Sequence, residues 1–139
     1  MDDRPKSLTG GCNCGAVRFI LRRPPRQALY CHCKRCQRRS GAAASASAIV
    51  DAADVAFEDE THLRRWQPPD DGAAKVFCDV CGSQIMSVDD DVRAIRLGVF
   101  DGDPGVRPAL RQWLASAACW EPVPDDGLPT HSRGRDPGD

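Results

Sequence analysis

The chain has 139 residues and a formal net charge of −1, a size that suits one domain with its own hydrophobic core. With 41% hydrophobic but only 6% aromatic residues, 12 glycines and 11 prolines, it favours a loop-rich β protein over a helical bundle. The charged amino terminus and the lack of any long apolar run give no indication of a signal peptide or a membrane span, so we expect a cytoplasmic protein that does not enter membranes.

Short apolar or β-branched runs, separated by turn residues, predict an antiparallel sheet. In chain order, strands are predicted at residues 16–21, 46–50, 55–57, 63–66, 74–77, 84–88 and 92–100. The strands at 55–57 and 63–66 are predicted to pair with each other. Helical structure is predicted for residues 34–40, and residues 109–118 are open to helix or strand. We expect residues 1–129 to form a single domain and the Pro-, Asp- and Gly-rich residues 130–139 to be a flexible tail.

Seven of the eight cysteines fall into three clusters along the chain. The clusters are Cys12 with Cys14, Cys31 with Cys33 and Cys36, and Cys78 with Cys81. Thiols stay reduced in the cytosol, so such clusters indicate metal binding and disfavour a disulfide scaffold. A structural zinc has four protein ligands, whereas a catalytic zinc has three and an open position, so seven thiols divide as four plus three.

The outer two clusters are predicted to share one structural metal. Cys78 and Cys81, followed by Gly82, have the form of a zinc knuckle, which is half of a site. Cys12 and Cys14 supply the other half from a distant part of the chain, so metal binding there is expected to stabilise the whole fold.

The middle cluster is predicted to hold a second metal with an exchangeable position. Cys31, Cys33 and Cys36 lie within six residues and leave one face of a tetrahedron uncovered, where an incoming thiol would lie beside the metal. His32 competes for that position, but it lies between two ligands, so its ring is expected to point elsewhere. Cys119 is expected to be a small buried hydrophobic residue. An iron–sulfur protein is disfavoured, since two Cys₄ sites would need Cys119 as well.

The amino-terminal third is basic, with no acidic residue between Asp3 and Asp51. These cations would offset the negative charge of thiolate-bound zinc. A second interpretation is that some of them guide an anionic substrate, with Arg38 and Arg18 as candidate substrate-binding residues. Nucleic acid is disfavoured as a partner, because aromatic residues that would stack on bases are few.

Three motifs together resemble a known family. They are Gly10-Gly11-Cys12-x-Cys14-Gly15-x-Val17-Arg18-Phe19, Cys31-His32-Cys33-x-x-Cys36-Gln37-Arg38-x-Ser40-Gly41 and Phe77-Cys78-x-x-Cys81-Gly82-Ser83. The pattern is similar to the glutathione-dependent formaldehyde-activating (GFA) family, which shares a domain with centromere protein V.

The resemblance implies a mainly β, Mss4-like fold of coiled antiparallel strands with few short helices, built around zinc-binding cysteine clusters. It implies two zinc ions per chain, a structural one on the outer pairs and a second one on the middle cluster. It also implies carbon–sulfur lyase activity, the reversible joining of the glutathione thiol and formaldehyde at the open position of the second zinc. The alternative is a non-catalytic zinc-binding module that recognises a protein or a nucleic acid.

Overall fold

Two β-sheets enclose the hydrophobic core in the computed structural model, which describes residues 7–135. The strands, in chain order, are β1 (Leu8–Gly11), β2 (Arg18–Leu21), β3 (Gln27–Cys31), β4 (Ser45–Asp51), β5 (Val55–Phe57), β6 (Leu63–Trp66), β7 (Ala74–Cys78), β8 (Gln84–Asp89), β9 (Val92–Arg96) and β10 (Pro108–Gln112). One α-helix, α1, spans Lys34–Ser40 within the described range. Short 3₁₀ turns occupy Ala52–Asp54, Leu97–Val99 and Leu114–Ser116.

The smaller sheet has the strand order β1-β2-β5, and the larger has the order β10-β3-β4-β9-β8-β7-β6. Neighbouring strands are antiparallel except β10, which runs parallel to β3. The mainly β fold predicted from the sequence is therefore confirmed.

The larger sheet has one apolar face and an opposite, polar face, which also carries a smaller apolar cluster around Leu29 and Ile49, because side chains alternate along each strand. The apolar face contributes a row of buried register partners from four strands, namely Ala48, Ile95, Met86 and Val76. The smaller sheet covers this face with Phe19 and Leu21 of β2, and Val17, just before that strand, packs beside them. The smaller sheet leaves the polar face of the larger one uncovered, and the cysteine cluster of Cys31, Cys33 and Cys36 lies beside that face.

Phe19 is the largest side chain buried between the sheets. Its ring centroid lies 5.6 Å from that of Phe100 in an edge-on arrangement and 5.9 Å from that of Phe57. Gly10 faces the Phe19 ring across the β1–β2 pair, and any Cβ there would lie 2.5 Å from the ring edge. The absence of a side chain at Gly10 is therefore what lets the aromatic cluster form.

The helix α1 begins and ends where the sequence supplies caps. The Cys33 sulfur accepts a hydrogen bond from the backbone N–H of Cys36 at the amino-terminal end. Gly41 ends the helix in the left-handed conformation, with φ of 70°, and its N–H bonds to the Gln37 carbonyl. The helix covers the residues predicted from the sequence.

Two strand predictions differ from the structure. Residues 55–57 and 63–66 do form strands, but β5 pairs with β2 and β6 pairs with β7, so the predicted pairing between them is wrong. The predicted strand at 92–100 ends at Arg96 and continues as a 3₁₀ turn. Strands β1 and β3 were not expected, because each is short and ends beside a cysteine cluster.

The carboxy-terminal part of the described chain is hydrogen-bonded to β10 and the turn that follows. The N–H of Arg111 bonds to the Pro129 carbonyl at 2.9 Å, and the N–H of His131 bonds to the Arg111 carbonyl at 2.8 Å. The flexibility expected from Thr130 onward stays a prediction, and residues 136–139, like residues 1–6, lie outside the described range.

Across residues 7–135, the structure contains no helix with the length and apolar character needed to cross a lipid bilayer.

Candidate metal centres and the adjoining cleft

The outer cysteine pairs come together as one group, the four-cysteine cluster of Cys12, Cys14, Cys78 and Cys81. Cys12 and Cys14 lie in the turn between β1 and β2, whereas Cys78 ends β7 and Cys81 lies in the turn that follows it. All four sulfur atoms lie within 4.8 Å of one another, with 3.6 Å between Cys12 and Cys14 and 3.8 Å between Cys14 and Cys78. A tetrahedral zinc with bonds of about 2.3 Å separates its sulfurs by about 3.8 Å, so these residues fit a zinc ion.

Backbone and hydroxyl groups stabilise the thiolates of this cluster. The N–H of Val17 points at the Cys12 sulfur at 3.3 Å, and the N–H of Val80 points at the Cys78 sulfur at 3.4 Å. The Ser83 hydroxyl, followed by the Ser83 backbone N–H, lowers the pKa of Cys81 to about 5. Because metal ligation requires deprotonated sulfur, the Ser83 donors favour the metal-binding form of Cys81.

The middle cysteines form the three-cysteine cluster of Cys31, Cys33 and Cys36, whose sulfurs also lie within 4.8 Å of one another. Cys31 ends β3, Cys33 caps α1, and Cys36 lies in the first turn of that helix. The end of β3 and the first turn of α1 thus bring the three sulfur atoms together. No fourth His, Cys, Asp or Glu joins them among the described residues.

Cys36 is the most acidic thiol of this cluster. Hydrogen bonds from Cys31 and Cys33, and then from the Ser45 hydroxyl at 3.2 Å, lower its pKa well below the ordinary thiol value, with Arg96 adding a favourable charge. Burial alone would have the opposite effect. The donor set is therefore three sulfurs, one of them already disposed to ionise, which fits a thiophilic ion such as zinc.

Neither competitor for the fourth position joins the cluster. His32 is buried, and its Nε2 lies 3.2 Å from Nη1 of Arg111, so its ring packs against β10 as a residue outside the metal site. Cys119 is exposed beside Trp120, so the prediction that it is a buried hydrophobic residue is wrong. It follows a 3₁₀ turn and lies in a loop, where an apolar sequence does not guarantee burial.

A cleft of about 680 Å³ lies over the polar face of the larger sheet, next to the three-cysteine cluster. Its floor is made by alternate residues of β3, β4, β9, β8 and β7, and Trp113 forms part of its wall. All three cysteines line it. A volume of this size accommodates a small-molecule ligand.

Two cations on the cleft floor were not identified from the sequence. Lys75 on β7 is only 6% exposed, and its Nζ donates to the Ser87 hydroxyl at 3.0 Å. Arg96 on β9 donates to the hydroxyls of Ser47 at 2.9 Å and Ser87 at 3.1 Å. The only signal for Lys75 was a charged residue inside the apolar run Ala74-Lys75-Val76-Phe77, which alternation assigns to the face opposite Val76.

The two arginines predicted to contact substrate do not line this cleft. Arg18 lies on β2 in the smaller sheet, where it forms a two-armed ion pair with Asp101. Arg38 lies on α1 and lines a separate groove. A substrate contact from either one stays a prediction.

That groove, of about 640 Å³, adjoins the cleft. It is lined by Lys34, Arg35, Arg38, Arg39, Trp66 and Phe77, of which Lys34 and Arg35 also line the cleft. Guanidinium groups lie over both rings, Arg35 at 6.0 Å from the centroid of Trp66 and Arg39 at 5.4 Å from that of Phe77.

Fold and site together define a small β protein with two cysteine clusters that could each hold a metal ion, one of four sulfurs and one of three sulfurs beside a cleft. A comparison with protein families matches residues 7–116 to the family described as glutathione-dependent formaldehyde-activating enzyme. The match covers well over half of the chain, and the chain belongs to this GFA family, as the motifs predicted.

A solved structure supports the fold. The crystal structure of a Rhodobacter sphaeroides protein, a structural-genomics target, is similar with a TM-score of 0.58 and 20% sequence identity, and the match covers 88% of this chain and 98% of that one. At this identity the likeness concerns the fold alone. A comparison with curated proteins found no match.

Proposed function

We propose that this protein is a zinc-dependent enzyme of carbon–sulfur lyase type, which acts on the adduct of a small, glutathione-like thiol with formaldehyde or another small aldehyde. The observation that carries the proposal is the three-cysteine cluster, whose sulfurs line a cleft of ligand size in a member of the GFA family. The thiol would bind in the cleft with its sulfur beside Cys31, Cys33 and Cys36.

The two cysteine clusters would hold one zinc ion each. The four-cysteine cluster has a full set of tetrahedral ligands and would serve stability. When bound at the three-cysteine cluster, zinc would act as a Lewis acid that keeps a substrate thiol in its thiolate form. Residues 1–129 would form the one domain that carries both sites, in the reducing cytoplasm, where these thiols remain available as ligands.

The chain's own residues would bind the thiol and set its charge environment. In the synthetic direction the thiol sulfur bonds to the carbonyl carbon, the C=O electron pair moves to oxygen, and the proton lost by the thiol is returned to that oxygen through water. The positive groups Lys75 and Arg96 face the cleft and would stabilise the negative charge on sulfur and oxygen during this transfer. The sheet behind them shields the cleft from bulk water on one side.

Exchange spectroscopy by NMR tests the proposal directly. Exchange between glutathione and S-hydroxymethylglutathione is measured with and without the zinc-loaded protein. We expect the native protein to accelerate exchange, Cys33→Ser to abolish the acceleration, and Cys119→Ser, which alters an exposed cysteine outside both clusters, to leave it unchanged. Equal exchange rates with and without the native protein would refute the proposed reaction for these substrates.

A second candidate, a non-catalytic binding module, is favoured by the groove beside α1. Three of its cations, Lys34, Arg38 and Arg39, make no ion pair with an acidic residue of the described chain. Both aromatic rings already carry a guanidinium group, so an acidic protein segment fits this groove better than stacked bases. Salt-sensitive binding of a glutamate-rich peptide, equally strong in Cys33→Ser, would support this candidate, and no binding at low salt would dismiss it.

A further inference from the structure

The cleft floor contains two cations that no carboxylate neutralises, and the favourable charges nearest to them are the thiols of the three-cysteine cluster. Lys75 and Arg96 donate hydrogen bonds to hydroxyl and carbonyl oxygens, and neither forms an ion pair with a carboxylate of the described residues. The buried Nε of Arg96 has no hydrogen-bond partner. Burying unpaired charge is costly, so such groups persist where an anion completes them.

The hydroxyl groups between these cations make the floor a surface of donors. The Ser87 oxygen accepts from Lys75 at 3.0 Å and from Arg96 at 3.1 Å, which brings the two cationic nitrogens within about 6 Å of each other. The Ser47 oxygen accepts from Arg96. Neither hydroxyl donates its own proton to a described residue, so both protons remain available to an acceptor in the cleft.

Strand register places this donor surface beside the three-cysteine cluster. Cys31 pairs with Ser45 on β4, and Ser47, the next residue on the same face, pairs with Arg96 on β9. Two strand spacings of about 4.8 Å and one same-face step along β4 separate the cluster from Arg96, a distance that a small bound molecule spans. A ligand sulfur at the cluster would therefore have its neighbouring groups over the floor.

The charge of the whole cleft is positive. Its lining includes Lys34, Arg35, Lys75 and Arg96 against two carboxylates, Asp70 and Asp89, and Asp70 is paired with Arg35. A ligand that carries an acid group as well as its thiol is therefore attracted to the cleft.

We propose that Lys75 and Arg96, with the hydroxyls of Ser47 and Ser87, form an anion subsite that binds a carboxylate of the thiol substrate. The enzyme therefore selects acidic thiols over neutral ones. This inference rests on the proposed function, because it places the substrate sulfur at the three-cysteine cluster.

Two thiols that differ in the acid group test the subsite. The native protein is loaded with cobalt, and its thiolate-to-metal absorption band is titrated with 3-mercaptopropionate and with 3-mercaptopropanol. We expect the carboxylate to give at least about tenfold tighter binding, and Lys75→Met and Arg96→Met each to reduce that preference about tenfold while binding of the alcohol changes little. Arg93→Met is the matched control, since Arg93 lies on the same strand but faces away from the cleft, and its preference should equal the native one.

The outcomes separate the subsite from the proposed function. If neither thiol perturbs the cobalt band of the native protein, the proposed function fails and this inference fails with it. If both thiols bind but without preference, or if the variants weaken both thiols equally, the subsite is refuted while thiol binding stands. Loss of the second metal in Lys75→Met would also refute it, because the lysine would then serve to neutralise the cysteine cluster. If a cation variant does not fold, Ser87→Ala, which removes the hydroxyl that Lys75 and Arg96 share, tests the subsite in its place. We expect Ser87→Ala to reduce the preference for the carboxylate, and an unchanged preference would refute the subsite.

Discussion

Replacing Cys14 by Ser tests whether the four-cysteine cluster holds the two sheets together. Cys14 is exposed, so the substitution removes a sulfur ligand without leaving a cavity in the core. Its sulfur lies 3.8 Å from that of Cys78, 64 residues further along the chain, and a metal between them closes that loop. A metal that binds these four sulfurs only in the folded chain stabilises the fold by RT ln(1 + [Zn]/Kd), which is about 4 kcal/mol when free zinc is about 1,000 times Kd.

A loss of that size is large for a domain of this length, whose total stability is on the order of 5–15 kcal/mol. The free energy of unfolding is measured by urea titration at fixed free zinc, and bound metal is measured in parallel. We expect Cys14→Ser to lose one of two zinc ions and, at free zinc about 1,000 times the native Kd, about 4 kcal/mol of unfolding free energy. Cys33→Ser should lose one zinc ion with a much smaller change in stability, because Cys31, Cys33 and Cys36 lie close together in sequence and can bind zinc in the unfolded chain as well.

Cys119→Ser is the matched control, as an exposed cysteine outside both clusters, and should match the native protein in both measurements. The reasoning is refuted if Cys14→Ser retains both metals, or if it is no less stable than Cys33→Ser. Either result would mean that the link between the turns contributes nothing to the fold.

Two further predictions concern the core and a buried histidine. Gly10→Ala should lower the unfolding free energy by about 1–3 kcal/mol, because the added Cβ would overlap the Val99 carbonyl oxygen. Gly98→Ala is the control, since no atom lies within 4 Å of a Cβ there, and it should change the unfolding free energy little. Equal effects of the two substitutions would contradict the packing around Gly10. Burial and then the charge of Arg111 lower the pKa of His32, so its NMR titration should have a midpoint below the ordinary 6.5 and move upward in Arg111→Met. As the pH falls, the His32 imidazole is protonated in the unfolded chain before it is protonated in the folded chain. The contribution of His32 to stability should therefore be complete above about pH 6.5 and decline as the pH falls, and a native midpoint at or above 6.5 would refute this.

The cysteine clusters were predictable from the sequence because ligand spacing is a local property. Cys31, Cys33 and Cys36 need only a strand end and one helical turn to converge, and residues 34–40 carried a helix signal of their own. The joining of Cys12 to Cys78 followed from counting ligands, without knowledge of the strand pairing.

Strand pairing was not predictable in the same way. Val55–Phe57 and Leu63–Trp66 are adjacent in sequence, which favoured a hairpin between them. Instead, the first pairs with β2 and the second pairs with β7, and both partners lie further away along the chain. Pairing of this kind depends on which faces must be buried together, and a single chain's local pattern does not specify that. The parallel contact of β10 with β3 is a further example of a long-range choice.

The anion subsite was missed for a related reason. Lys75 and Arg96 lie on strands separated by one other strand, and only the register brings both onto the Ser87 hydroxyl. Arg18, in contrast, was prominent in sequence because it adjoins a cysteine motif, but its ion pair with Asp101 occupies it elsewhere.

The two-faced larger sheet also limits how the sequence of this protein can change. In β9, Ile95 belongs to the core while its neighbour Arg96 belongs to the cleft, so a single inserted or deleted residue would exchange the two faces. Such a change would move a cation into the core and an apolar side chain onto the cleft floor at once. We therefore expect length variation among homologous chains to concentrate in the turns between strands, while β7, β8 and β9 diverge by substitution alone.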